Sequence, residues 1–66
     1  MSTRTYTVTG MTCSHCVASV TEEVSEVAGV VEVEVDLESG RLVVTGEGFG
    51  DEAVGEAVRE AGYALA

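Results

Sequence analysis

Val31-Glu32-Val33-Glu34-Val35-Asp36-Leu37-Glu38 alternates apolar and acidic side chains without a break over residues 31–38. Successive side chains of a strand point to opposite faces, so this period of two predicts a strand with one buried and one fully acidic face. Repulsion along that face, and the bar that charge sets against further pairing, predict an edge position in its sheet. Glu38-Ser39-Gly40 reads as a turn and Arg41 to Thr45 as a second strand. The two then form a hairpin in which Arg41 faces carboxylates of the first strand.

Outward from the hairpin the period changes. Upstream, Cys16, Val20, Val24 and Val27 fall at i, i+4, i+8 and i+11, with Val17 beside them, which is one stripe of a helix. Ser14 reads as its N-cap and Gly29 as its stop. Before that helix, Thr5 to Thr9 alternates Thr with Tyr6 and Val8, a strand broken by Gly10. Downstream, Gly46-Glu47-Gly48-Phe49-Gly50 is a loop and Asp51 caps a second helix with Ala53, Val54, Ala57, Val58 and Ala61 on its apolar face. Gly62 ends it, and Tyr63-Ala64-Leu65 makes a short last strand. The order β-α-β-β-α-β is the split-βαβ, ferredoxin-like arrangement. This predicts an α+β fold, one domain over residues 1–66, with a four-stranded antiparallel sheet and two helices on one face.

A core built mostly from Val and Ala, with Tyr6, Phe49 and Tyr63 as the aromatics, leaves a 66-residue chain little room for a deep substrate pocket. The expectation is a protein that is not an enzyme. Twelve acids against three bases give a net charge of −9. Nucleic acids and anionic membrane surfaces both draw their affinity from Lys and Arg, so neither is an expected partner. The charge suits solubility, approach of a cation, or docking on a basic partner. Met1-Ser2-Thr3-Arg4 opens no apolar leader, and no stretch nears the ~20 apolar residues of a membrane span. A cytoplasmic location without membrane insertion is expected, where thiols stay reduced.

Both cysteines of the chain, three residues apart, lie in Met11-Thr12-Cys13-Ser14-His15-Cys16, between the first strand and the first helix. A helix start offers unpaired N–H groups and a partial positive charge, which favour the thiolate, and a thiolate is both nucleophile and metal ligand. A disulfide closing so short a loop constrains the unfolded chain little. A structural zinc site needs four ligands, and beyond Cys13, Cys16 and His15 only carboxylates could complete it. A dithiol oxidoreductase also places C-x-x-C at a helix start. Such domains are longer and carry an aromatic before the pair and a proline in the site, whereas this chain has Thr12 there and no proline. Two thiolates match Cu(I), a soft ion that accepts only two ligands and so stays open to a third thiolate. The residues favour this soft-metal carrier, and a small thiol–disulfide oxidoreductase or a metal-sensing domain for another soft ion stands as the alternative.

Gly10-Met11-Thr12-Cys13-Ser14-His15-Cys16 matches the G-M-T/S-C-x-x-C signature, and Gly29-Val30, Leu37 to Gly40 and Glu60-Ala61-Gly62-Tyr63 extend the match. Over nearly its whole length the chain resembles the heavy-metal-associated domains, most of all the free-standing bacterial copper chaperones. The resemblance implies Cu(I) held by Cys13 and Cys16 and delivered to a copper-transporting P-type ATPase or a copper-responsive regulator. The same module serves as the N-terminal domain of such ATPases and as a periplasmic mercury carrier, so Ag(I), Hg(II) and Zn(II) are alternative cargoes. Cys13, in the loop, is expected to engage the partner first, while Cys16 holds the ion from the helix.

Met11 is implied to turn inward and pack beneath the loop. Tyr63 aligns with a tyrosine beside the metal loop, where it either shields the sulfurs or anchors the last strand. His15 is either a solvated loop residue or an auxiliary group that tunes the thiolates and joins a copper-bridged homodimer of a chain that is monomeric without metal. In the second case His15→Ala shifts the pH profile of copper release without abolishing binding. Like charges at helical spacing, Glu22 with Glu26 and then Glu52, Glu56 and Glu60, predict an acidic docking face.

Overall fold

The computed structural model describes residues 1–11 and 14–66, and among these the chain forms β1 (Ser2–Thr9), α1 (Ser14–Ser25), β2 (Val30–Asp36), β3 (Arg41–Gly46), α2 (Asp51–Glu60) and β4 (Ala64–Leu65). The strands pair antiparallel in the order β2-β3-β1-β4. This is the ferredoxin-like βαββαβ sandwich, with β2 on a sheet edge as its acidic face requires. Arg41 stands opposite Asp36 on β2 and Thr7 on β1.

Alternation along the strands sorts the sheet into two faces. Val8 of β1 and Leu42 and Val44 of β3 are buried, with Tyr6, Val33 and Val35 half-buried beside them. Val20 and Val24 of α1 and Val54 and Val58 of α2 close the core from above, each fully buried. The residues between, among them Thr3, Thr5, Thr7, Glu32, Glu34 and Asp36, remain exposed on the open face.

The unbroken alternation of residues 31–38 does not survive folding. Val30 pairs with Gly46 but Glu32 pairs with Thr45, so Val31 is the extra residue of a β-bulge. It is 66% exposed, and the inward set becomes Val30, Val33 and Val35. Leu37 falls in the turn and is exposed too. The turn itself is held by the Glu38 N–H donating to Asp36 Oδ1 (3.1 Å) and the Gly40 N–H donating to the Asp36 carbonyl (2.9 Å). The bulge lies where two backbones touch: Gly29, at φ +92°, accepts from the Glu47 N–H at 2.9 Å, and a Cβ on Gly29 would overlap the Glu47 carbonyl oxygen.

The helix ends also differ from expectation. α1 stops at Ser25, whose hydroxyl donates to the Thr21 and Glu22 carbonyls at 2.7 and 3.0 Å, a back-bond that competes with helix continuation. Val27 therefore joins the rim of the core from a turn, and Glu26 lies outside the helix. Ser14 is the first helical residue and not a cap; the position before it is Cys13, which with Thr12 lies outside the described residues. Gly50 occupies the N-cap of α2 without a side-chain bond, and Asp51 is likewise the first helical residue. Its carboxylate turns to β1 instead. On α2, Val54, Ala57 and Val58 are buried while Ala53 is exposed.

Candidate metal centre

β1 ends at Thr9 and hands the chain through Gly10 (φ +90°) to Met11, half-buried and packed on the core. α1 takes over at Ser14, and its third residue, Cys16, turns inward at 6% exposure on the same stripe as Val20 and Val24. His15, one position earlier, is exposed. The inward stripe of the helix thus buries the Cys16 thiol and sends the His15 imidazole to solvent.

The charge around this thiol is uneven in a telling way. The first turn of α1 contains no acidic residue, although the chain has twelve, whereas the first turn of α2 contains Asp51 and Glu52. Carboxylates in a first turn compensate the positive end of the helix dipole. At α2 that end is compensated locally; the first turn of α1 holds no carboxylate to do the same.

Tyr63 reaches the loop from α2. The Gly62 N–H donates to the Arg59 carbonyl (2.9 Å) and the Tyr63 N–H to the Val58 carbonyl (3.1 Å), with Gly62 at φ +94°. This is a Schellman exit, which ties residues 62 and 63 to the last turn of the helix. The Tyr63 ring is half-buried and lies against Gly10, so near that a Cβ there would stand 3.5 Å from Cδ1. Gly10 and Tyr63 therefore meet where β1 ends, Met11 packs on the core next to them in the chain, and Cys13 falls outside the described residues. Among the described residues no three His, Cys, Asp or Glu side chains stand together as a metal cage.

One polar cluster had no signal in the sequence, because Asp51 lies 47 and 45 positions from its partners Arg4 and Tyr6. Arg4 Nη1 donates to Asp51 Oδ1 and Oδ2 at 3.1 and 3.4 Å, and the Tyr6 hydroxyl donates to Asp51 Oδ1 at 2.7 Å. Burial of the phenol, its bond to Asp51 and the negative charge of that carboxylate push Tyr6 up to about 12, against the opposing effect of Arg4. A shallow cleft between α2 and β4, lined by Asp51, Glu52, Gly55, Arg59, Ala64 and Leu65, contains neither Cys16 nor Tyr63.

Comparison with known proteins agrees with this architecture. The copper chaperone CopZ of Bacillus subtilis is 35% identical over 68 aligned positions, covering 100% of this chain and 99% of that protein. A solved structure described as the CopZ metallochaperone superposes with a TM-score of 0.93 at 27% identity, covering 98% of this chain and 100% of the other. A copper binding domain from HMA7, a P-type ATPase, superposes with a TM-score of 0.94 at 31% identity, covering 100% and 92%. The model of the heavy-metal-associated domain matches residues 5–64, and the chain belongs to that family.

Proposed function

We propose that this chain is a cytoplasmic metallochaperone and not an enzyme. It carries one Cu(I) ion between the thiolates of Cys13 and Cys16 and passes it to a dithiol site on a copper-transporting P-type ATPase or a copper-responsive regulator. The observation that carries the reading is the inward thiol of Cys16 at the head of a helix whose first turn holds no carboxylate. Such an end stabilises sulfur in its anionic, metal-binding form. Relatives named for copper, matched over the full chain, support copper as the cargo. The likeness to an ATPase copper domain supports an acceptor built on the same fold.

Transfer then proceeds by ligand exchange. An incoming thiolate from the acceptor adds to the two-coordinate ion, giving three Cu–S bonds, and the Cys13–Cu bond breaks as the second partner thiolate arrives. Breaking of the Cys16–Cu bond completes the passage, with no change in oxidation state and both thiolates of this chain returned. Cys13, ahead of the helix, opens the exchange, and Cys16, fixed in the core, closes it. Met11 packs beneath the loop and Tyr63 shields its other side, while His15 stays in solvent. The test mixes Cu(I)-loaded protein with a metal-free dithiol domain of such an ATPase and separates the two. Copper recovered on the acceptor without added reductant or oxidant is the expected result. Metal that stays put, or metal-free turnover of a disulfide substrate, contradicts it.

A further inference from the structure

The Arg4–Asp51–Tyr6 cluster stands at the start of α2, and Tyr63, which lies against Gly10, follows the other end of that helix. Two features at the entry to α2 make this cluster matter. Gly48 and Gly50, each in open space, flank Phe49, and the Gly50 cap makes no side-chain bond, so between the Glu47 N–H bonded to Gly29 and the first turn of α2 the loop is held by Phe49 packed on the core. Besides Val54 buried in the core, the first turn of α2 is tied to the sheet by Asp51, gripped by a guanidinium and a phenol from alternate residues of β1. At the exit, by contrast, the Schellman bonds make Tyr63 an extension of the helix. A pivot or slide of α2 on the sheet must therefore move the Tyr63 ring against Gly10, the residue that opens the metal loop.

We propose that Asp51, held by Arg4 and Tyr6, is a positioning residue for the metal loop: it sets the seat of α2 on β1 and through it the contact of Tyr63 with Gly10. β1 and α2 are pinned at both ends, by a charged clamp at one and by an aromatic ring at the other. Releasing the clamp loosens the ring. The mechanical link concerns the protein without metal; its consequence for metal exchange rests on the function proposed above.

The experiment has two arms. In the metal-free protein, the amide resonance of Gly10, which feels the ring current of Tyr63, is recorded in Tyr6→Phe and Asp51→Asn and in the control Thr3→Ala on the open face. The clamp variants are expected to shift Gly10 and the control to leave it in place. An unmoved Gly10 in both clamp variants overturns the proposal, whatever metal the protein carries. In the Cu(I)-loaded protein, release to a chelator is expected to quicken about two- to fivefold in either clamp variant, the range an exposed charged pair can supply. The same substitutions in a Tyr63→Ala background should change nothing further. Equal acceleration with and without the Tyr63 ring would show that Asp51 does not act through it. If the chain takes up no Cu(I), the cargo assignment fails, and the Gly10 arm still decides the clamp.

Discussion

A phenol bonded to a carboxylate at 2.7 Å, half-withdrawn from water, resists ionisation for reasons that belong to one residue and its neighbours. Tyr6 is pushed up to about 12, above the ordinary 10.0, so between these values the folded chain keeps a proton that the unfolded chain has lost. The sign follows: Tyr6 contributes stability that is fully present below pH 10 and is lost as the pH climbs towards 12. Denaturant unfolding over that window should show the parent weakening more steeply than Tyr6→Phe. Parallel pH curves for the two would remove Tyr6 from the account. Cys16 shows a different economy, since it is both a candidate ligand and a core residue on the stripe of Val20 and Val24. The helical period exposes that double role in the sequence. Its lack of acidic neighbours in the first turn is legible there too, once the helix start is known.

At the scale of elements, their order along the chain and the edge place of β2 follow from periodicity, and the errors lie where backbone meets backbone. Nothing in the alternation of residues 31–38 announces the bulge at Val31, which lies beside the close pass of Gly29 by Glu47. Ser and Asp before a helical stripe read as caps, yet Asp51 spends its carboxylate on Arg4 and Tyr6, partners that only the folded sheet supplies. Glycines give the sharpest tests. Gly29→Ala places a methyl into the Glu47 carbonyl at a positive φ and should destabilise by more than about 1 kcal/mol. Gly55, inside α2, would bring its Cβ to an ordinary 3.5 Å from Leu65 Cδ1. Gly55→Ala should therefore stabilise by about 0.5–1 kcal/mol through helix propensity. Thermal or urea unfolding of the two variants reads both signs, and a destabilised Gly55→Ala would mean that α2 needs its flexibility.

Across the whole molecule, charge and fold work together. A surface of net charge −9, with Glu52, Glu56 and Glu60 exposed on or beside α2, should attract a basic acceptor surface over distances that salt screens. Transfer rates to such an acceptor should fall as ionic strength rises from about 0.01 to 0.15 M, and rates indifferent to salt would leave the acidic face without a docking role. The four-stranded sheet with two helices was readable from the chain because each element repeats its own period. The proposed metal loop rests on two sulfurs and their spacing in the sequence, whereas the clamp at Asp51 exists only in three dimensions. The central claim is that two thiolates hold one cuprous ion and hold it open to exchange. Titration of the reduced protein with Cu(I) against a competing chelator, in the parent and in Cys13→Ser and Cys16→Ser, tests it most directly. One tightly held equivalent per chain, lost in either variant, is the predicted result. A parent that ignores Cu(I) while Zn²⁺ saturates it, or a single-cysteine variant that binds Cu(I) as tightly as the parent, would contradict it.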